Sequence, residues 1–451
     1  MEQRLQALLE TVKKLLRRGA YPNLSKVLAK IHPADIAHLF RYLDFKDQQT
    51  LYNLVGDTET AAYVLSELDP GTGARLLEQL EKSMITEVLQ EMPSDDAVEI
   101  IRGLSEELAE EILETLKDED STEIEKLLEY EEDTAGAIMA TETFSLRDNL
   151  SVAQAIDAVQ HAEDVEMVFY VYVTDERNHL VGVLSLRQLL TVPPNTPLKK
   201  VMISEVISVR TDVDQEEVAK IVEKYNLLAV PVINEHNKLM GVITVDDVID
   251  VLRQEATEDI YKMAGASEEE LLYGYKATKI ARLRLPWLVT NLLGGVVTGY
   301  LMWLFKATLE QIIALISFIP VITGMGGNVG GQSATIVVRG FATGKIDFST
   351  LRQVFFKELR VGMIMGSVCG MVIGLVAFAW HGNPYLGLVV GIAMVTAMTV
   401  AASMGVVATS FFKRIGIDPA IASSPFVQTA NDITGILIYF GTATAFLDYL
   451  H

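Results

Sequence analysis

One carboxylate stands out near the end of the chain, within the apolar stretch QTANDITGILIYF at residues 428–440. The stretch has the composition of a membrane helix, yet it contains Asp432. An ionised side chain at the centre of a bilayer costs at least about 2.5–3.5 kcal/mol, so intramembrane carboxylates generally mark ion pathways or proton relays. We predict that Asp432 faces a hydrated cation in a pore.

A second polar position lies in the stretch FIPVITGMGGNVGGQSATI, residues 318–336. Pro320 and five glycines predict a broken helix, which is tolerated at membrane depth only where it is buried in protein or lines a watery cavity. Asn328 and Gln332 offer carbonyl oxygens there, and we predict that they line the same pathway as Asp432. Close helix packing is the alternative role for these small residues.

Acidic residues recur before the first apolar stretch, where a long helix is predicted. They are Asp246, Asp247, Asp250, Glu255, Glu258 and Asp259, and a second run, TDVDQEE, adds Asp212, Asp214, Glu216 and Glu217. Like charges three or four residues apart destabilise a helix by tenths of a kcal/mol. The repetition predicts counter-cations, with an ordinary solvated acidic face as the alternative.

The charge is divided between two halves of the 451-residue chain. Residues 276–451 carry 12 Lys and Arg against 6 Asp and Glu, whereas the first 275 carry 25 against 54. The front half is therefore strongly acidic, which disfavours nucleic-acid binding because phosphate would be repelled. The single cysteine, Cys369, excludes an intrachain disulfide and a Cys-type zinc site.

Five apolar segments in the second half are each long enough to span a bilayer core. They lie at about 286–305, 312–338, 361–380, 385–412 and 421–447. The basic clusters precede the first span and lie between the second and third and between the fourth and fifth. The positive-inside rule therefore predicts a multi-pass protein of the cell membrane with a cytoplasmic N-terminus and an outside C-terminus.

The acidic half contains two kinds of repeat. Short helical units recur as HPADIAHLFRYL (32–43), DPGTGARLLEQL (69–80) and MPSDDAVEIIRGL (92–104), which indicates a helical solenoid. Further on, VTDERNHLVGVLSLRQLL (173–190) aligns with VINEHNKLMGVITVDDVI (232–249), and this pair resembles tandem CBS modules. In that family a Ser/Thr-x-x-Asp motif holds a ribose. Thr244 and Asp247 match it, while Ser185 is followed by Gln188. ATP or another adenine nucleotide is thus expected at the pair, with a nucleotide-free docking platform as the alternative.

The predicted fold class is multidomain. An all-α superhelical N domain (1–130) precedes an α/β tandem CBS pair (131–255), a long connecting helix (246–275) and a five-helix α-helical transmembrane domain (276–451). This order, with PVITGMGGNVGGQ, DPAIASSPFVQTANDITG and YEEDTAGAIM, closely resembles the MgtE family of magnesium channels.

That resemblance implies a homodimer whose pore is selective through Asp432 from each chain, with no further protein partner. It also implies regulatory Mg²⁺ ligands in the cytoplasmic part. Carried over to this sequence, they are Glu59, Glu91, Asp95, Asp214, Glu216, Asp247, Asp250, Glu255, Glu258, Asp259 and Asp418. Mg²⁺ would be both the permeant and the regulatory ion.

The predicted function is passive Mg²⁺ influx that internal Mg²⁺ shuts off, and the chain is not expected to be an enzyme. A zinc intramembrane protease needs His-Glu-x-x-His, which the sequence lacks, and an aspartyl one needs two intramembrane aspartates. Two alternatives remain open. One is a proton-coupled exchanger of Mg²⁺ or Co²⁺ with Asp432 as the relay, and the other is a Mg²⁺ or nucleotide sensor that does not transport.

Overall fold

The structure is a computed structural model, and it describes residues 2–116, 118–162, 169–267, 277–423 and 425–450. The chain divides into two compact units, Met1–Leu252 and Arg253–His451, which are described in turn.

The first unit begins with short helices, as the sequence predicts. They are α1 (Glu2–Arg17), α2 (Tyr21–Leu28), α3 (Pro33–Phe40), α4 (Phe45–Tyr52), α5 (Thr58–Ser66), α6 (Pro70–Leu77), α7 (Lys82–Gln90), α8 (Ser94–Arg102), α9 (Glu106–Thr115) and α10 (Asp118–Leu128). Asp44, Asp57 and Asp69 cap α4, α5 and α6, because each side chain accepts a hydrogen bond from a backbone N–H of the first turn. Alternate helices pack together, α3 on α5, α5 on α7 and α7 on α9, which confirms the superhelical prediction.

The tandem CBS pair follows as two matching three-stranded sheets. The first half comprises β1 (Ser145–Arg147), α11 (Val152–Gln160), β2 (Tyr170–Thr174), β3 (Leu180–Ser185) and α12 (Leu186–Thr191), and the second half β4 (Val209–Arg210), α13 (Gln215–Tyr225), β5 (Ala229–Ile233), β6 (Leu239–Thr244) and α14 (Val245–Ala264). In each sheet the central strand pairs parallel with the first strand and antiparallel with the third. The sequence repeat therefore corresponds to a structural repeat.

The two CBS halves contact each other through their turns and through exchanged segments. The backbone N–H of Leu180 donates to Asn237 O at 2.9 Å, and Leu239 N–H donates to Asn178 O at 3.3 Å. Ala140, which precedes the first half, bridges to Val242 of the second half. The halves are thus joined by backbone hydrogen bonds.

The helix α14 is shorter than the connecting helix predicted over 246–275. It ends at Ala264, and Gly265 follows with a φ of +68°, a left-handed conformation that suits glycine after a helix. Residues 268–275 of the predicted helix lie outside the described residues.

The second unit is helical. After the end of α14 it contains α15 (Ala277–Leu304), α16 (Lys306–Gln311), a 3₁₀ segment (Ile313–Phe318), α17 (Ile319–Ala342), α18 (Leu351–His381), α19 (Pro384–Arg414), α20 (Pro419–Ser423), α21 (Pro425–Ala445) and α22 (Leu447–Leu450). Among the described residues, four segments are long and apolar enough to cross a membrane, namely Ala277–Leu304, Ile313–Ala342, Leu351–His381 and Pro384–Arg414. The predicted fifth span is the helix α21, and its crossing of the membrane stays a prediction.

The bundle is organised around α19, which packs against α17, α18 and α21. Its buried face is rich in Ala, Gly and Met, and small residues let helix backbones approach closely. The fully buried Tyr439 of α21 donates a hydrogen bond to Leu315 O at 2.9 Å, which fixes α21 to the 3₁₀ segment. The polar stretch around Asp432 is therefore held on a well-packed helix.

One prediction about the second span is wrong. The sequence predicts that the glycines break the helix, but α17 runs without interruption from Ile319 to Ala342. Pro320 lies in the first turn of α17, where backbone N–H groups have no intrahelical acceptor, so its lack of an N–H does not remove a helical hydrogen bond. The irregular backbone instead precedes the helix, in the 3₁₀ segment Ile313–Phe318. Gly326, Gly327 and Gly330 are buried on the packed face of α17.

Candidate functional site

The carboxylate that is predicted to lie in the membrane is on a helix that places one amide beside it. Asp432 is half-buried on α21, and the Nε2 atom of Gln428 donates a hydrogen bond to its Oδ1 atom at 3.3 Å. The two residues are four apart, so they occupy the same face of the helix. The carboxylate therefore has a partner on its own helix, which orients one oxygen.

The face of α21 that carries these residues is seated against the glycines of α17. Asn431 is 1% exposed, and its Nδ2 atom donates to Gly326 O at 3.4 Å. A Cβ atom at Gly330 would overlap the Asn431 amide, and one at Gly327 would overlap the Gln428 amide. A side chain at either position would therefore require the facing amide to move, so these glycines of α17 let the polar face of α21 approach closely.

The other two predicted pore residues lie apart from this contact. Asn328 and Gln332 are exposed, one turn apart on α17, so their shared face is open within a single chain. The structure does not bring them into hydrogen-bonding contact with Asp432 among the interactions of the described residues, where the partner of Asp432 is Gln428.

A further carboxylate, which the sequence predictions did not single out, lies buried inside the helical bundle. Glu358 is 3% exposed on α18, and its Oε2 atom accepts a hydrogen bond from Ser333 Oγ of α17 at 2.8 Å. The signal was available in the sequence, because Val354, Phe355 and Phe356 extend the apolar run of α18 on the N-terminal side of Glu358.

In the first unit, predicted regulatory acids of α8 and α14 lie together. We call Asp95, Glu99, Asp247 and Asp250 the α8–α14 acidic cluster. Burial, together with the charge of Asp247, raises the pKa of Asp95 well above its usual range, and the Oδ1 atom of Asp95 is buried without a hydrogen-bond partner among the described residues. Burial also raises the pKa of Glu99, with the charges of Asp250 and Asp247 adding to the effect. Two helices thus hold negative charges that repel one another.

Asp247 has a second role at the start of α14. Its Oδ2 atom accepts hydrogen bonds from Thr244 Oγ1 at 2.6 Å and from Thr244 N at 3.0 Å. Burial raises the pKa of Asp247 to about 6, and the hydrogen bonds from Thr244 oppose that rise. The predicted nucleotide motif and the acidic cluster therefore share one carboxylate.

The first CBS half has the same local geometry with an amide in place of the acid. Ser185 caps α12, its Oγ atom accepts from Gln188 N at 3.3 Å, and Gln188 Oε1 accepts from Ser185 N at 2.8 Å. This capping box stabilises the start of α12 but offers no carboxylate for a ribose hydroxyl.

In the second unit, a lysine lies between two of the predicted regulatory acids. Lys262 of α14 forms ion pairs with Glu258, four residues earlier, and with Asp418, whose Oδ2 atom lies 2.8 Å from Lys262 Nζ. Partial burial disfavours the ammonium charge, but hydrogen bonds to Asp418 and Glu258 outweigh burial and raise the pKa of Lys262. The other oxygen of Asp418 caps α20 by accepting from Ala420 N at 2.8 Å.

The remaining predicted ligands are distributed over several elements. Asp214 is exposed and caps α13, and Glu216 pairs with Lys220 at 3.1 Å. Glu59 and Glu91 are exposed in the helical domain, and Glu255 and Asp259 are half-buried on α14. Within the described ranges of a single chain, no three His, Cys, Asp or Glu side chains are grouped so that they could hold a metal ion.

Comparison with known proteins covers both units. Family models match as MgtE intracellular N domain at residues 31–133, as CBS domain at 135–195 and 198–254, and as MgtE divalent cation transporter at 319–442. The magnesium transporter MgtE of Thermus thermophilus is 40% identical over 322 residues, covering 70% of this chain and 71% of that protein. The magnesium transporter MgtE of Bacillus subtilis is 39% identical over 319 residues, covering 70% of each.

Among solved structures, the cytosolic domain of the Mg²⁺ channel MgtE in complex with ATP is similar, with a TM-score of 0.52 and 34% identity. The match covers 54% of this chain and 99% of that chain. The soluble part of a magnesium transporter matches with a TM-score of 0.51 and 33% identity, over 56% of this chain and 99% of that chain.

Proposed function

The chain belongs to the MgtE family of magnesium transporters, and from that premise we propose that it is a Mg²⁺-selective channel that intracellular Mg²⁺ closes. The observation that carries the pore assignment is the half-buried carboxylate of Asp432, held by Gln428 on a helix packed against the glycines of α17. Mg²⁺ dehydrates reluctantly and is usually held by one or two carboxylates while it keeps several waters. A single acid at this depth suits such an ion.

Passive flow requires no other energy source than the membrane potential. Each elementary charge that crosses 100 mV gains about 2.3 kcal/mol, so a divalent ion moving inward gains about 4.6 kcal/mol. In the proposed orientation the N-terminus is cytoplasmic and the C-terminus is outside, and two chains form a homodimer around one pore. Asp432 of each chain then faces the ion path.

Closure by internal Mg²⁺ is supported by the repulsion within the α8–α14 acidic cluster. Burial and neighbouring negative charges raise the pKa values of Asp95, Glu99 and Asp247, which means that the ionised form of each is disfavoured. A divalent cation would offset that repulsion, and Mg²⁺ shifts the protein toward closure only if the closed state binds it more tightly than the open state. In the proposal, Glu59, Glu91, Asp214, Glu216 and the acids of α14 add further sites, completed by waters or the second chain.

Nucleotide binding at the CBS pair belongs to the same proposal. The related cytosolic domain was solved with ATP, and here Thr244 and Asp247 match the family's ribose motif in the second half. Because Asp247 also belongs to the acidic cluster, ATP and Mg²⁺ binding would be coupled through this residue.

Flux measurements on the full-length protein in liposomes test the pore. Asp432→Ala is expected to abolish Mg²⁺ uptake or its selectivity against Ca²⁺, and unchanged selective uptake would contradict the assignment. A proton-coupled exchanger is the second candidate, since Glu358 supplies another buried carboxylate in the bundle. That alternative requires Mg²⁺ flux that follows an imposed pH gradient at fixed voltage, whereas the channel requires flux that follows voltage.

A further inference from the structure

We propose that Gln428 is a positioning residue that sets the geometry and the ion selectivity of Asp432, and that Gly327 provides the space in which it does so. The inference rests on the proposed function, because it concerns how the pore carboxylate is presented to the ion. Gln428 is not among the pore residues predicted from the sequence or from the family resemblance.

The hydrogen bond from Gln428 occupies one oxygen of the Asp432 carboxylate. Gln428 Nε2 donates to Asp432 Oδ1 at 3.3 Å, and hydrogen bonds to an ionised acceptor are roughly twice as strong as neutral ones. The waters around a Mg²⁺ ion are also donors, so they compete for the same carboxylate. With Oδ1 engaged by Gln428, the ion's waters approach the other oxygen, Oδ2, in a defined direction.

The Gln428 side chain is confined by the neighbouring helix α17. A Cβ atom at Gly327 would overlap its terminal amide, so the amide lies directly against the α17 backbone. Confinement reduces the rotamer freedom that a free glutamine would lose on forming the bond. The packing of α21 on α17 therefore preorganises the hydrogen bond between Gln428 and Asp432.

Asn431, one turn further along α21, makes a second polar contact with α17. Asn431 is almost fully buried, donates to Gly326 O, and lies where a Cβ atom of Gly330 would be. Burying a polar amide costs free energy, which the bond from Nδ2 to Gly326 O offsets for one end of the side chain, while Oδ1 is buried without a partner among the described residues. The bond made by Nδ2 favours one register of α21 against α17. That register keeps Gln428 opposite Gly327.

The consequence concerns discrimination between ions. A carboxylate with one oxygen held in place offers a single outward acceptor, which suits a hydrated ion contacted through its waters. A freely rotating carboxylate can turn both oxygens toward an ion that sheds water readily, and Ca²⁺ accepts such bidentate ligands. Removing the amide should therefore favour Ca²⁺ relative to Mg²⁺.

The principal test replaces Gln428 with Met, which has the same length and fills the space against Gly327 but cannot donate. In the full-length protein in liposomes, Gln428→Met is expected to raise the half-saturating Mg²⁺ concentration and to lower the Mg²⁺/Ca²⁺ flux ratio, each by about tenfold or more, the loss expected for one hydrogen bond to a charged group. The matched control is Thr442→Val on the same helix, because the Thr442 hydroxyl donates only to Ile438 O of α21.

A second variant keeps the proposal falsifiable if Met alters folding. Gly327→Ala displaces the amide from the opposite helix and should reproduce the selectivity loss, while adding it to Gln428→Ala should cause little further loss, since no amide remains to displace. Unchanged selectivity in Gln428→Met, a fall in maximal flux alone, or additive effects of the two substitutions would each overturn the inference. Wild-type selective flux in Asp432→Asn would instead overturn the pore assignment itself.

Discussion

The ammonium group of Lys262 lies 2.8 Å from the carboxylate of Asp418, although the two residues are 156 positions apart in the chain. Lys262 pairs with Glu258 at the same time, so one side-chain cation occupies the space between two acids that the family resemblance assigns to regulatory Mg²⁺. A metal ion that uses these carboxylates must first displace the ammonium. In the proposed mechanism, Lys262 would therefore compete with Mg²⁺ for these two carboxylates.

Replacing Lys262 with Gln should make the protein more sensitive to internal Mg²⁺. The charge that competes for Glu258 and Asp418 is lost, and partly exposed ion pairs of this kind contribute about 0.2–1 kcal/mol. We therefore expect the Mg²⁺ concentration for half-maximal inhibition of flux to fall by about two- to fivefold. Channel current recorded over a series of cytoplasmic Mg²⁺ concentrations measures this directly.

The matched control for this prediction is Lys82→Gln, which removes an exposed lysine paired with Glu111 in the helical domain. It should leave the inhibitory concentration unchanged. If Lys262→Gln instead needed more Mg²⁺ for inhibition, the contact between Lys262 and Asp418 would itself be part of the closed state, and the competition would not exist.

Inhibition by Mg²⁺ should weaken in mild acid because protons compete for Asp247, whose pKa is raised to about 6. A proton on a ligand must leave before a metal ion binds. Between pH 7.5 and 5.5 we expect the inhibitory Mg²⁺ concentration to rise by about threefold or more. Asp247→Asn should flatten the dependence, while Glu176→Gln, an exposed acid in the turn between β2 and β3, should not change it.

The raised pKa of Asp247 also predicts how the stability of the protein depends on pH when Mg²⁺ is absent. The pKa of folded Asp247 exceeds the ordinary value for aspartate, so its contribution is most favourable below about pH 4 and is lost as the pH rises through about 6. Hydrogen-exchange protection of α8 amides, corrected for intrinsic rates, should therefore be lower at pH 7 than at pH 5 and recover when Mg²⁺ is added at pH 7. Greater protection at pH 7 in Mg²⁺-free buffer would contradict the repulsion.

Local periodicity and repeats gave the architecture of this chain from its sequence. The CBS alignment at an offset of 59 matches β3 to β6 residue by residue, Leu180–Ser185 to Leu239–Thr244. The three helical units correspond to α3, α6 and α8. A side-chain cap followed by proline fixes the start of α3 and of α6, whereas α8 begins directly after Pro93, which makes no side-chain cap hydrogen bond. These features depend on neighbours in the sequence, which is why they could be read there.

The sequence predictions failed, or made no statement, for features that depend on contacts between distant segments. The glycines of α17 weaken a helix by intrinsic propensity, yet packing against α21 keeps it continuous, since helix stability in proteins comes mainly from tertiary contacts. The burial of Glu358 depends on Ser333 of another helix, and the pairing of Lys262 with Asp418 joins distant positions. No periodicity within one segment encodes such partners.

Nucleotide binding should be confined to the second CBS half. Thr244→Val removes the hydroxyl that orients Asp247, so the affinity for ATP is expected to fall by about tenfold, the equivalent of one hydrogen bond to a charged group. Ser185→Ala is the matched control at the pseudo-equivalent position, where Gln188 replaces the acid, and it should leave ATP affinity within about twofold. Titration calorimetry with the full-length protein distinguishes the two. A loss of ATP affinity in Ser185→Ala but not in Thr244→Val would indicate that the nucleotide binds in the first CBS half instead.

The exchanged segment that joins the CBS halves should depend on Gly241. A Cβ atom there would lie 2.6 Å from the carbonyl oxygen of Ala140, and that oxygen accepts a hydrogen bond from Val242 N at 2.8 Å. Because a backbone carbonyl cannot rotate away as a flexible side chain can, Gly241→Ala should destabilise the second sheet by about 1–3 kcal/mol, the usual range for overpacking. Hydrogen exchange of β5 and β6 in the full-length protein measures the loss. Gly56→Ala is the control, since no neighbouring side chain or backbone atom of the described residues lies within 4 Å of its added Cβ. Equal hydrogen-exchange protection of β5 and β6 in both variants would show that the backbone around Ala140 moves aside without a loss of stability.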